Sequence, residues 1–345
     1  MQTTFMGAKK RILWVDYAKC IGIIAVVAGH AINNVSGKSL DVAYNAIYWW
    51  HMPLFFMMGG FFLKQISPTS EGWAYLLGHR VKPLIKAYFL NGVILIILSH
   101  FFRQQSWDYT FLYFARLIYG GSTLNNYLSV FWYMTTYAIA IFLTTLLISY
   151  VKKAWLQFVI AIASFFLGIQ LQDVTFFGND SFPWNAQIAL LAFFWMLLGY
   201  YVFKLFTKIP WKYKVIYAVF GLSFFIFLIY LYAKGELDFV LWLKSSTIHT
   251  GLQAFFIPPL LCLVVFIGSE AIERAGGFLP LKFIGQNTDV IMFYHRAAFD
   301  ITTLTAFMDH WYFRIIIGLA APILLAWVIQ WFKNNHFWHR IRVQD

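Results

Sequence analysis

Charge is scarce in this chain: only 12% of its 345 residues are Asp, Glu, Lys or Arg, and only 14 of them are acidic. A soluble globular domain carries about a quarter charged residues, so that class is excluded. Cysteine is nearly absent as well. Cys20 and Cys262 both fall inside apolar runs, where a thiol behaves as a small hydrophobe, and neither suggests a disulfide framework. No long polar stretch separates the apolar segments, which leaves no room for a soluble domain or a linker, and no internal repeat is visible. What is there instead is apolar: 61% of residues are hydrophobic and the mean hydropathy is +0.67. These values describe a polytopic membrane protein.

Apolar runs of about twenty residues predict an all-α bundle of ten transmembrane helices, near 12–34, 43–63, 83–102, 127–150, 154–171, 186–205, 213–232, 249–268, 286–306 and 311–332. Basic residues in short loops stay on the cytoplasmic side. With the N-terminus inside, the cytoplasmic segments collect Lys9, Lys10, Arg11, Lys64, Arg80, Lys82, Lys86, Lys152, Lys153, Lys204, Lys208, Lys212, Lys214, Arg274, Lys282, Lys333, Arg340 and Arg342. The outer segments keep Lys38, Arg103, Arg116, Lys234, Lys244 and Arg314. Both termini are therefore expected in the cytoplasm, and the net charge of +12 reads as a topology signal. Scattered over many loops, it forms no stripe for nucleic acid. The first apolar segment is too long for a signal-peptide core and reads as an uncleaved helix.

The first helix holds two side chains that lipid does not tolerate well. Lys19 and His30 are eleven positions apart, three helical turns plus about 20°, so they share a face about 16 Å apart. Asp16 and Asn34 fall within an arc of about 60° on the same side. Gly22 and Gly29 mark an adjoining face where a neighbouring helix can approach. The second helix begins "HMPLFFMMGGF", His51–Phe61, with Pro53 and the pair Gly59 and Gly60. His30 and His51 lie equally far from the turn near Lys38–Asp41, hence at similar depth. A lone membrane histidine often serves packing, and Lys19 has a snorkelling alternative. The combination of three polar groups on one face with a second imidazole reads as a lined cavity.

These two blocks resemble membrane acyltransferase family 3, especially its fucose 4-O-acetylase-like branch. The basic residue and histidine with ten residues between them fall on Lys19 and His30 within "DYAKCIGIIAVVAGH", Asp16–His30. "PLFFMMGGF", Pro53–Phe61, is similar to the family's Pro-Leu-Phe-Phe-x-x-Ser-Gly-Phe element, with Gly59 where the family has serine. "HRVKPLIKAYF", His79–Phe89, "VFWYMTTYAIA", Val130–Ala140, and "FIGQNTDVIMFYH", Phe283–His295, extend the likeness over most of the chain.

The resemblance implies a single integral-membrane domain over 1–345 in the bacterial plasma membrane that moves an acetyl group from acetyl-CoA to a hydroxyl of a cell-surface or lipid-linked carbohydrate. No metal is expected. His30 is the candidate general base, with Asp16, Lys19 and His51 as further catalytic candidates. Trp132, Asn287 and His295 are candidate donors to the oxyanion. Arg80, Lys82 and Lys86, with Lys19 one step deeper, are candidates for the phosphates of the donor. Either the pantetheine arm threads up the polar stripe or an acyl-histidine carries the group outward. Arg296 invites pairing with Asp289 or Asp300. The outer segment Gln172–Asn185 offers Asp173, Asp180 and Trp184 to a sugar, although a tryptophan there also suits an interfacial anchor. Expected partners are the acyl-CoA, the glycan acceptor and the bilayer, with polysaccharide-biosynthesis proteins or a second copy as further candidates. Succinyl-CoA is an alternative donor. A glycan transporter or flippase is the alternative of another class, against which the missing repeat argues.

Overall fold

The computed structural model describes residues 11–33, 35–179 and 181–334, nearly all of them in or between helices. Lys9, Lys10, Asn34, Asp180, Arg340 and Arg342 lie outside the described residues. In chain order the helices are α1 (Leu13–Ile32), α2 (Lys38–Tyr48), α3 (His51–Phe61), α4 (Ser70–Tyr75), α5 (Lys82–Phe102), α6 (Trp107–Tyr119) and α7 (Trp132–Tyr150). Then follow α8 (Ala154–Gln170), α9 (Ala186–Phe206), α10 (Trp211–Lys234), α11 (Gly251–Arg274), α12 (Leu279–Gln286), α13 (Thr288–Ala298) and α14 (Trp311–Asn334). The α10–α11 connection carries a small hairpin, β1 (Leu241–Trp242) antiparallel to β2 (Thr247–Ile248). The all-α membrane bundle expected from composition is what forms.

All ten predicted segments are helical, but among the described residues only seven helices are long and apolar enough to cross a membrane. The other three depart for separate reasons. Segment 43–63 breaks at Trp49–Trp50 into α2 and α3, because the Trp49 indole is buried and donates to the Phe239 carbonyl at 2.9 Å. Segment 286–306 is the short α13 followed by a 3-10 turn at Phe299–Leu304. Helix α8 has only 17 residues. Pro53 falls in the first turn of α3, where its missing N–H interrupts no helical bond. Lys214, counted among the cytoplasmic charges and at the start of the predicted helix 213–232, sits in α10 and pairs with Glu270 of α11 at 2.6 Å.

Helix α1 occupies the centre, packed by α3, α11, α12, α13 and α14, while α10 turns Val219, Phe220 and Ile226 outward. Bilayer lipid offers helices no hydrophobic gain on association, so close backbone approach has to hold the bundle. One such approach joins α3 to α9. A Cβ on Gly60 would land on the Met196 carbonyl, and one on Gly199 on the Met57 carbonyl, so each helix supplies the glycine the other needs. Gly22 and Gly29 play the predicted part on α1, facing Leu54 and Phe55 and then Tyr48.

Gly60→Val is expected to destabilise the bundle by about 1–3 kcal/mol or more through overpacking against backbone. Gly268→Ala, which meets open space in α11, is expected to be neutral or stabilising by about 0.5–1 kcal/mol. Thermal unfolding in detergent, followed by intrinsic tryptophan fluorescence, reads both.

Candidate active site

Lys19, Ile23, Val26 and His30 recur at helical spacing on one face of α1, and that face lines a cavity of about 470 Å³. Met52, Phe55, Met58 and Gly59 of α3 form the opposite wall. Trp132, Tyr133 and Tyr137 of α7 close one side, with Thr288, Asp289 and Met292 of α13 on the other. At Gly59, where the resembled motif has serine, a Cβ would lie 2.7 Å from a Tyr137 ring carbon. The polar groups sit at the two ends of the cavity, and its middle is apolar.

At the Lys19 end, Arg80 reaches the cavity from a π-helical turn, Leu76–Val81, wedged between α4 and α5. Its Nη2 donates to the Phe62 carbonyl at 3.1 Å. Such turns recur at functional sites because they re-aim side chains against the helical register. Lys19 has no carboxylate within ion-pair distance among the described residues, although Asp16 and Asp289 both act on its charge. Lys82, predicted beside Arg80, is exposed and does not line the cavity.

Asp16 also stays out of the cavity. Arg11 grips it through two bonds of 2.7 and 3.0 Å, and the Gln286 amide adds a third at 3.3 Å, so its carboxylate ties the start of α1 to α12. Asn287 is likewise engaged structurally, donating to the Phe283 carbonyl at 2.8 Å and accepting from Gln330 at 2.9 Å across the α12–α13 break. With both amide atoms engaged, Asn287 is poorly placed to donate to a reacting oxygen.

At the other end His30 stands with its ring centroid 5.3 Å from that of His295, a buried residue of α13. His295 donates its Nδ1–H to the Ile291 carbonyl at 2.8 Å, which leaves Nε2 as the lone-pair nitrogen, buried and without a protein partner among the described residues. His51 repeats this arrangement on α3, bonding the Ile47 carbonyl at 2.9 Å, with its ring against Tyr48. His51 is 3% exposed and no part of the cavity wall, but it is near enough to act on the charge of His30. Trp132 does line the cavity.

Arg296 pairs with neither predicted acid. Asp300 is taken by Arg103, at 2.7 and 2.6 Å, and by the Tyr127 hydroxyl. Arg296 bonds backbone carbonyls, His30 at 3.4 Å and Asn126 at 3.5 Å. Beyond it lies Lys244, from the hairpin loop, whose Nζ donates to Asn125 at 2.7 Å. Asn185, in the left-handed region at φ 50°, fixes that loop by donating to the Lys244 carbonyl and accepting from Ser122 N–H. Composition and hydropathy gave no sign of Lys244, because nothing local in sequence links residue 244 to residues 30 and 296. The Trp184 indole donates to the Ile118 carbonyl at 2.9 Å beside Gly120. Asp173 lines a separate open cleft of about 420 Å³ with Thr175, Ser245 and His249.

A family model described as an acyltransferase domain matches residues 12–338, almost the whole chain. The chain belongs to membrane acyltransferase family 3. Neither the curated proteins nor the solved structures yield a match. The family match makes this membrane bundle an acyltransferase and decides against a transporter. It also sets the cavity in context, since an acyltransferase needs one space reached by both donor and acceptor.

Burial among the loops, and then the nearby Arg296, lower the Lys244 pKa from 10.5 to about 8. Between about pH 8 and 10.5 the unfolded chain holds a proton that the folded chain has shed, so stability rises with pH across that window. Pulsed amine labelling read by mass spectrometry is expected to show half-maximal reaction of Lys244 near pH 8, and Lys244→Met is expected to remove its share of the slope.

Proposed function

We propose that this protein transfers an acetyl group from acetyl-CoA, bound from the cytoplasm, to a hydroxyl of a cell-surface or lipid-linked carbohydrate at the bacterial plasma membrane. The observation that carries the reading is one cavity lined by both Lys19 and His30, about 16 Å apart along α1. The donor fits its chemistry. Arg80 and Lys19 offer cations for phosphates at the mouth, while Ile23, Val26 and Met58 offer an apolar passage for the pantetheine arm.

At the far end, His30 in its neutral form takes the proton of the acceptor hydroxyl as that oxygen attacks the thioester carbonyl. A carbon–oxygen bond forms, the carbon–sulfur bond breaks, and the proton passes from His30 to the departing thiolate. Trp132, which lines the cavity, supplies its N–H to the oxyanion in this reading. His295 acts behind His30: its buried Nε2 lone pair accepts no hydrogen bond among the described residues, so it favours an N–H directed from the side of His30 or from water.

The test is transfer from labelled acetyl-CoA to glycan acceptors by the purified protein. His30→Ala is expected to fold and insert but to lose about 10²–10⁴-fold in kcat. Equal turnover by wild type and this variant would remove His30 from the chemistry. In the same assay, Arg80→Gln and Lys19→Met are expected to raise KM for acetyl-CoA several-fold, about 1 kcal/mol of lost phosphate contact, with a smaller change in kcat. Succinyl-CoA as a competing donor measures how much of the cavity the acyl group fills.

A further inference from the structure

Arg296 and Lys244 are two cations gathered near the His30 end of the cavity, and neither has a carboxylate within ion-pair distance among the described residues. Arg296 is partly buried, and its only protein acceptors among the described residues are the long contacts to the His30 and Asn126 carbonyls. A guanidinium has five N–H donors, so most of its capacity is unused. Lys244 is partly buried too and spends one bond on Asn125, the residue next to the Asn126 that Arg296 touches. The two side chains thus flank a single turn, Asn125–Asn126, within reach of the His30 backbone.

The acids that might neutralise them are engaged elsewhere. Asp300 holds Arg103 and Tyr127, Asp309 holds Arg314, Asp238 holds His249, and Asp41 accepts from Asn45. The charged and titratable neighbours that act on His30 are Arg296, His295, His51 and Lys244, with no carboxylate among them. Partly buried cations without partners are costly and persist where something brings the missing charge.

We propose that Arg296 and Lys244 form an oxyanion-binding subsite beside the transfer position, and that the acceptor is an acidic glycan which carries a carboxylate or phosphate there. This rests on the transferase reading above and specifies its acceptor. The planar guanidinium grips two oxygens of a carboxylate or phosphate, and the ammonium supplies a second, point-like charge. An anion held there fixes the rest of the sugar relative to His30, so that one hydroxyl is presented repeatedly to the imidazole. The feature also gives selectivity, since a neutral sugar would leave both cations unpaired in the bound state.

The experiment uses the purified full chain and three probes: methyl glucoside, methyl glucuronide and glucose 1-phosphate. Binding is measured by calorimetry and transfer by label from acetyl-CoA. The expected result is that wild type binds one or both acidic probes about tenfold or more tightly than the neutral one. Lys244→Gln is expected to shrink that ratio to within about threefold, while Lys244→Arg keeps it. A preference for the carboxylate probe points to a uronic-acid-type residue, and a preference for the phosphate probe to the phosphate of a lipid-linked or phosphorylated glycan. Equal affinity for neutral and acidic probes in wild type, or equal loss in the Gln and Arg variants, overturns the subsite. Acidic-probe binding with no acetyl transfer to any acceptor leaves the subsite standing and removes the carbohydrate transferase reading. Efficient transfer without acidic preference does the reverse.

Discussion

An ammonium and an imidazole can stand on one apolar helix only if the medium around that helix is not lipid. Helix α1 meets this condition by being enclosed: α3, α11, α12, α13 and α14 surround it, and its polar face opens onto a cavity instead of hydrocarbon. Taking a charge from water to a low-dielectric interior costs several kcal/mol, and every other feature of the site follows from managing that term. Where a charge is needed only for architecture, it is paired outright, as in Asp16 with Arg11 and Gln286, or Glu270 with Lys214 and Arg274. Where Lys19, His30 and Arg80 line the cavity, and where Arg296 reaches the His30 backbone beside it, pairing among the described residues is sparse. The difference separates structural from available polarity more clearly than residue type does.

The enclosure in turn depends on backbone contact. Gly60 against the Met196 carbonyl and Gly199 against the Met57 carbonyl draw α3 and α9 together and so fix the wall that bears Met52, Phe55 and Gly59. The wall is shaped by subtraction as much as by addition. With serine at residue 59 the hydroxyl-bearing carbon would crowd Tyr137, so this chain appears with glycine and an aromatic neighbour as a matched pair.

Much of this was legible in sequence, for reasons that can be traced. The face shared by Lys19 and His30 follows from helical periodicity alone, and it is the face that lines the cavity. The membrane class followed from composition, and the family from two short blocks. Three things were not legible. Hydropathy reads 43–63 as one span because Trp49 and Trp50 are as apolar as their neighbours; only the buried indole's bond to Phe239 shows the break. Asp16 and Asn287 looked available because their partners Arg11, Gln286 and Gln330 are defined by folding. Lys244 was counted only as an outer-loop charge, and its relation to His30 spans more than two hundred residues of chain.

The π-helical turn at Leu76–Val81 has a consequence for how the donor side of this protein can vary. A turn closed one residue wider than its α-helical neighbours displaces everything that precedes it by about 100° relative to α5. Arg80 therefore owes its direction to a local frame shift in the coil of the backbone, not to its place in an apolar pattern. Removing one residue from this turn would rotate α4 and α5 against each other by that angle, so the length of the turn, as well as the arginine itself, decides whether the guanidinium reaches the cavity.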